Sequence, residues 1–501
     1  MSIHVRRSFL AVMVCLTAAG AARAQDRRPG DLRFEPFTFK TGDGKEIAAE
    51  LGRLVVPERR GTSAGPARMG PGTASSTIEL AFVRLKSAAV RPEPPLVVLA
   101  GGPGGSGITE TRVFWTVLRP LLDRGDVIAL EQRGTGKSSP YLECGAIEGF
   151  HGDDLVDRDH MLQAMTARFR PCADDWRGRG VDMQAYNTRE SADDIEDLRV
   201  ALGADKLRLW GFSFGTQLGL MTIRRHGEHI ERAVLAGVEG LDDTRKLPSS
   251  FDRYLVDIGR LVAADPAWRR RIPDFIALVK SVHARLDREP RQVEIVDRAT
   301  RQKRTVRVGG FALRTIIAID ASNTRHAVWF PALYDSIAGG DDSLLAQRVQ
   351  ALADRVTAPI PWAMTFATNC ASGATAARSR RVDREAPASI LGVAGNFPWP
   401  EICSVWGSPD VGEPLRAPLA SRVPVLFIAG TLDGRTPVAN SQALVRGFAN
   451  GVLFVVDNAG HQDAFDAPAA VQAVVDFMVG KALAVTRAAV PAPTLVPPGK
   501  R

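Results

Sequence analysis

Long apolar runs are scarce in these 501 residues. After the first two dozen, no segment reaches the uninterrupted length that a membrane-spanning helix needs, so stable membrane insertion is not expected. Cysteine is sparse, at five residues, and no close Cys/His pairs of the kind that open a zinc site occur. A stripe of one charge is missing as well. The arginines are scattered, so the formal charge of +8 reads as a solvated surface rather than a nucleic-acid footprint. There is no internal repeat. Hydrophobic residues make up 45% and charged residues 24%, which fits neither a membrane bundle nor a disordered chain. The length exceeds what one compact core fills, so two or more structural units are expected.

The one apolar stretch is at the start. MSIHVRRSFLAVMVCLTAAGAARAQ sets Arg6 and Arg7 before an apolar run that ends in Ala22-Arg23-Ala24, the pattern of a secretory signal peptide spanning 1–24. Its removal, with Arg6, Arg7 and Arg23 and no acid, takes the formal charge from +8 to +5. A periplasmic or secreted location follows. Cys15 leaves too, and the remaining Cys144, Cys172, Cys370 and Cys403 enter an oxidising compartment, where two disulfides are expected. Order and separation favour Cys144 with Cys172 and Cys370 with Cys403, out of three possible pairings.

Residues 34–40, 46–56 and 77–85 read as strands, the last two separated by a Gly/Ser/Pro-rich loop at 60–76. From Pro95 short β-branched runs alternate with helical stretches: PLVVLA, a helix at 109–123, DVIALEQ, KLRLWG, a helix from Phe214, and RAVLAG. This is the pattern of an α/β unit with a mostly parallel sheet flanked by helices. The alternation stops after Gly240 and resumes at VPVLFIAG, followed by a helix near 438–448, the strand GVLFVV and a helix at 468–483. Between them lie amphipathic stretches at 254–263, 273–286 and 343–356. The expected organisation is a core in two parts, 25–240 and 421–485, a mainly helical inserted cap at 241–420, and a proline-rich flexible tail at 486–501.

Chemistry concentrates in four places. Gly211-Phe212-Ser213-Phe214-Gly215 lies between a strand and a helix, the setting of a nucleophile elbow, where a serine occupies a strained turn and the helix N-terminus favours developing negative charge. A serine hydroxyl is a weak nucleophile and needs a histidine base, which in turn needs a carboxylate. The chain order that goes with such an elbow is Ser, acid, His. Of eight histidines only His461 lies beyond the resumed sheet. Asp433 ends the preceding strand and is the expected acid; Asp457 and Asp463 are its competitors. Finally, Ala100-Gly-Gly-Pro-Gly-Gly-Ser106-Gly107 follows PLVVLA, and glycine lets backbone amides approach an oxyanion closely. The hole is assigned to the amides of Gly102 and Phe214. A phosphate-loop look-alike, from Glu131 to Gly136-Lys137-Ser138, begins with glutamate instead of the required glycine and is set aside. No metal or organic cofactor is implied.

Together these residues resemble the proline iminopeptidase and tripeptidyl aminopeptidase branch of the α/β-hydrolases. The likeness is carried by GGPGGSG, EQRGTGKS, YNTRESADDIEDLR, GFSFGTQLG, GTLDGRTP and the GH of AGHQDAF, about half of the chain. Two departures stand out: Ala100 where the family usually has histidine, and Glu131 where aspartate is common. The resemblance implies an α/β-hydrolase core with a cap, and a serine aminopeptidase that releases residues or short peptides from peptide N-termini. The alternative is a carboxylesterase that turns over small esters with the same three residues, because fold and triad do not fix the scissile bond. A noncatalytic binding protein is disfavoured by the presence of all three. Enzymes of this kind hold the substrate's ammonium with carboxylates, for which Glu239, Asp320 and Glu401 are candidates.

Overall fold

The computed structural model describes residues 28–61, 76–298 and 300–499. The expected signal segment 1–24 and most of the expected loop at 60–76 lie outside the described residues. In chain order the strands are β1 (Leu32–Lys40), β2 (Glu46–Pro57), β3 (Thr77–Leu85), β4 (Leu96–Leu99), β5 (Val127–Leu130), β6 (Gly152–Leu155) and β7 (Leu207–Phe212). They continue with β8 (Ile230–Ala236), β9 (Arg291–Val296), β10 (Lys303–Val308), β11 (Val425–Gly430), β12 (Gly451–Asp457) and β13 (Arg487–Ala489). Ten of them form one sheet in the order β1-β2-β3-β5-β4-β7-β8-β11-β12-β13. β1, β2 and β3 enter antiparallel, and from β5 onward every pairing is parallel.

The central strands are apolar throughout because both faces of the sheet are covered. Successive side chains point to opposite faces. Leu96 and Val98 of β4, Trp210 and Phe212 of β7, and Leu426 and Ile428 of β11 pack in one cluster with residues of the helices Trp115–Leu122 and Pro468–Met478. Val97, Leu99, Leu209, Val425 and Phe427 pack on the other face with the helices Thr188–Ala201 and Phe214–His226. The expected helix at 109–123 is two, Gly107–Val113 and Trp115–Leu122. Phe114 occupies the break, its ring 4.9 Å from that of Phe212 and 5.4 Å from that of Trp210, so tertiary packing decides the interruption.

The chain places β5 on one side of β4 and β7 on the other, so the connections leaving β4 and β7 diverge. Crevices at such switch points, outside the carboxyl ends of the strands, are where open α/β sheets bind ligands. The pairing of Leu99 with Gly211 sets the glycine-rich loop directly beside the serine turn.

The inserted segment is helical as expected, with helices Pro248–Ala264, Phe275–Arg288 and Ser343–Val356 on the amphipathic stretches. It also holds a small sheet ordered β6-β10-β9. β6 and the helix Arg158–Gly178 come from the part of the chain that the sequence reading gave wholly to the core. Leu142, Phe150, Met161, Phe169 and Trp176 share one hydrophobic cluster with the cap residues Leu255, Leu313 and Phe366. This second contribution escaped the sequence because its pairing is nonlocal: β6 adds parallel to β10, a partner some 150 residues away. The disulfides are Cys144–Cys172 and Cys370–Cys403.

The expected tail also differs. β13 pairs parallel with β12, and Leu495 is buried. The Trp268 Nε1–H donates to the Val496 carbonyl at 2.8 Å, and the Val496 N–H donates to that of Val328 at 3.1 Å. Three residues of strand held by a distant partner leave no local periodicity to read.

Candidate active site

Ser213 stands between β7 and the helix Phe214–His226 with φ 53° and ψ −125°, a conformation that residues with a side chain rarely adopt. The turn is over-determined. The Ser213 N–H donates to the Ala236 carbonyl at 3.0 Å, and the Thr216 N–H and Oγ1–H donate to the Ser213 carbonyl at 2.8 and 2.6 Å. Both flanking glycines are sterically required: a Cβ at Gly211 would lie 2.7 Å from the Gly215 carbonyl oxygen, and one at Gly215 would lie 1.9 Å from that of Leu99.

Asp433 lies in the loop after β11, with a fully buried side chain. Its Oδ1 accepts from the N–H groups of Arg435 and Thr436, both at 2.8 Å, the pattern by which an Asp organises its own turn. Its Oδ2 accepts from Thr436 Oγ1 at 2.6 Å and faces His461 Nδ1 at 2.8 Å. Burial works against ionisation of this carboxyl. The charge of His461 and the hydrogen bonds from His461 and Thr436 outweigh it, and hold Asp433 below the usual carboxylate range. His461 follows β12, and its ring packs against Phe212 at 4.9 Å. Gly237, at φ 60°, leaves the room: a Cβ there would lie 2.8 Å from His461 Cε1.

The two competing acids are engaged elsewhere. Asp457 forms two 2.7 Å hydrogen bonds with Arg487, and Asp463 accepts from the Gly460 N–H and from Thr324 of the cap.

The glycine-rich loop touches the serine turn, since a Cβ at Gly101 would come 3.1 Å from Ser213 Cβ. Gly102, at φ 119°, is confined by the amides of Gly104 and Gly105. The loop is braced on three sides. Gln132 Nε2 donates to the Ala100 carbonyl at 3.0 Å, Ser106 Oγ donates to Glu131 Oε1 at 2.7 Å, and the cap residue Thr365 donates to the Pro103 carbonyl at 2.8 Å. Glu131 and Gln132 thus support the loop from the end of β5, where Ala100 has no side chain able to do so. Burial pushes the Glu131 carboxyl up, with the Ser106 hydrogen bond opposing. The look-alike's last serine is structural too: Ser138 Oγ donates to the Glu131 carbonyl at 2.8 Å and accepts from the Ala81 N–H at 2.9 Å.

Ser213 and His461 open on one cavity of about 480 Å³ between core and cap, with the residues 101–105 on its floor. Its walls are mostly apolar and aromatic, among them Phe150, Met161, Trp362, Phe397 and Trp399. Of the three acids proposed for a substrate ammonium, none lines it. Glu239 pairs with Lys246 at 2.9 Å, Asp320 with Arg348 and with His326 at 3.0 Å, and Glu401 with Arg158. The carboxyl that does line the cavity is Glu110, which the sequence reading missed. Burial pushes it up to about 8, against a hydrogen bond from Gly101, and among the described residues its Oε1 has no partner. Arg355 and Arg435 line the same cavity and were missed as well, as was Thr436. Thr436 was within reach of the sequence, because a hydroxyl three residues after a turn-forming Asp is a recurrent pattern. Among the described residues no group of three His, Cys, Asp or Glu side chains is placed to hold a metal ion.

Residues 94–289 match the model of the alpha/beta hydrolase fold family, and residues 393–484 that of the TAP-like protein family. The chain is 24% identical over 431 residues to the serine protease Hip1 of Mycobacterium tuberculosis, an alignment that covers 77% of this chain and 78% of that one. It is 28% identical over 174 residues to the tripeptidyl aminopeptidase of Streptomyces lividans, covering 32% of each. A crystal structure of the proline iminopeptidase of Mycobacterium smegmatis superposes with a TM-score of 0.37 at 16% identity, over 80% of this chain and 95% of that one. The chain has the α/β-hydrolase fold, is similar to the tripeptidyl aminopeptidases and proline iminopeptidases, and is a serine hydrolase.

Proposed function

We propose that the chain is an exported peptidase that releases residues or short peptides from peptide N-termini, with Ser213 as nucleophile, His461 as base and Asp433 as its carboxylate partner. The observation that carries this reading is the buried 2.8 Å contact of Asp433 with His461 Nδ1, beside a serine on a strained turn that opens on the same cavity. With Nδ1–H donated to Asp433, Nε2 keeps its lone pair and takes the Ser213 proton as Oγ attacks the scissile carbonyl. The imidazolium then gives that proton to the leaving amine, and water, activated by the same nitrogen, hydrolyses the acyl-enzyme. The oxyanion is received by the N–H groups of Gly102 and Phe214, the latter opening a helix, where the first amides have no carbonyl in a preceding turn. Export is supported by the signal pattern at 1–24 and by the two disulfides.

One observation favours the esterase alternative: the three acids considered for an ammonium are paired outside the cavity. Turnover of aminoacyl arylamides against short acyl esters decides, and ester turnover alone would overturn the peptidase reading. A fluorophosphonate probe is expected to label the folded protein and to fail with Ser213→Ala. Equal labelling of both would overturn the assignment of Ser213.

A further inference from the structure

Arg355 and Arg435 reach the catalytic cavity from different units. Arg355 is in the last turn of the cap helix Ser343–Val356, and Arg435 is in the core loop that carries Asp433. The backbone N–H of Arg435 is fixed on Asp433 Oδ1, which anchors this residue at the rim of the triad. Arginine in a protein is normally matched with a carboxylate, and this chain follows that habit at Arg60, Arg133, Arg225, Arg348 and Arg416. Among the described residues neither Arg355 nor Arg435 has an ion-pair or side-chain hydrogen-bond partner, although both face the cavity that holds Ser213 and His461.

Their surroundings sharpen the point. Asp320, whose charge reaches Arg355, is committed to Arg348 and His326. Asp354, next in the chain to Arg355, accepts from Gln350. Glu110, the one carboxyl on the cavity wall among the described residues, is pushed up to about 8 by burial and so carries little negative charge at neutral pH. Arg355 is exposed at the edge of the cavity and Arg435 is half-buried; partial desolvation and the charge of Arg435 together push the Arg355 guanidinium down, as two cations facing one cavity do when, among the described residues, no anion stands between them. A guanidinium presents a planar fork that matches a carboxylate in two parallel hydrogen bonds, and such pairs are strongest away from bulk water.

We propose that Arg355 and Arg435 form the subsite for the free C-terminal carboxylate of a short peptide substrate. This deepens the reading of Ser213 as a peptidase nucleophile and rests on it. In serine acyl transfer the part of the substrate after the scissile bond departs as the amine, so a carboxylate held here belongs to the leaving fragment. The wall between, with Phe150, Trp362, Phe397 and Trp399, suits apolar side chains. The enzyme therefore selects short, apolar peptides by their far end, and loses grip on long chains or capped C-termini.

The test compares a tripeptide library as free acids and as C-terminal amides, with wild type, Arg355→Gln, Arg435→Gln and Arg355→Lys, all first shown to take up a fluorophosphonate probe. Wild type should favour the acids at least tenfold in kcat/KM, mainly through KM. Each Gln variant should bring the ratio towards one, and Arg355→Lys should recover part of it. Equal use of acids and amides by wild type, or a ratio untouched by both Gln variants, overturns the proposal. A capped peptide with glutamate at its last position that matches the free acid overturns the assignment to a C-terminus. If no peptide is cut, the peptidase reading has failed, and 4-carboxyphenyl butyrate against phenyl butyrate still reads the subsite. A preference for the charged ester that Arg355→Gln abolishes supports the arginine pair, and no such preference overturns it.

Discussion

At the scale of single residues, the arrangement around Asp433 separates ionisation from burial. A carboxylate with no exposed surface stays charged because two backbone amides, a hydroxyl and an imidazole surround it. Asn in its place presents an amide that cannot stabilise an imidazolium, so Asp433→Asn should lower kcat by about 10³- to 10⁴-fold, with KM little changed, in steady-state assays on whichever substrate proves best. Glu110 has the opposite electrostatics. Burial pushes its carboxyl from the ordinary 4.5 up to about 8, so the folded state binds the proton more tightly than the unfolded chain does. Stability is therefore unpenalised below pH 4.5 and falls as pH rises towards 8. Glu110→Gln has no such charge to bury, and its melting temperature should exceed that of wild type at pH 9 and match it at pH 5. The reverse order in a thermal scan would remove burial as the dominant influence. Ser213 was legible because its flanking glycines, strand and helix are contiguous in sequence, and His461 because few histidines follow the resumed sheet. Arg355 was not, since only the docking of a cap helix on the core brings it to the cavity.

At the scale of elements, two of the stretches that carried the family resemblance turn out to be load paths between segments. Arg133, from EQRGTGKS, is fully buried and makes 2.7 and 2.6 Å hydrogen bonds with Asp194, from YNTRESADDIEDLR, and further bonds with the carbonyls of Glu58 and Ala185. Arg60 joins from the end of β2 through Asp194 and Glu190. Removing one member of such a cluster strands the others: Asp194→Ala leaves two guanidiniums short of an anion away from water, and should lower stability by about 3–5 kcal/mol, read as a shift in the urea midpoint. A shift below about 1 kcal/mol would mean that water reaches the cluster. The sequence displayed these motifs, but their electrostatic partnership joins segments 61 residues apart and has no local signature. The bridge between Cys370 and Cys403 closes a loop of 33 residues. Its chain-entropy contribution is about 3.5 kcal/mol, so Cys370→Ser with Cys403→Ser should lower the melting temperature by several degrees, and reductant, which also opens Cys144–Cys172, should lower that of wild type at least as far.

At the scale of the whole molecule, the alternation of strands and helices made the core readable, down to the ends of β2 and β3 within a residue. The limits of the cap were not, because it takes β6 and the helix Arg158–Gly178 from within the first half of the core. An excision of 248–416 should therefore yield no minimal hydrolase. It would bare Leu142, Phe150, Met161 and Phe169, a contiguous apolar surface, and the product should aggregate in size-exclusion chromatography instead of eluting as a monodisperse core. The last residues couple the two units from outside the cavity. β13 lies on the free edge of β12, the Val490 N–H donates to the Asp457 carbonyl and Asn458 Nδ2 donates to that of Val490, just ahead of the loop that bears His461. A few residues later the same segment reaches Trp268 and Val328 of the cap. A carboxypeptidase that worked back from this end would act as an off switch at a distance: loss of Val496 and Leu495 would free the cap from this segment before any atom of the cavity was touched, and loss of β13 would then leave the histidine loop without its outer support.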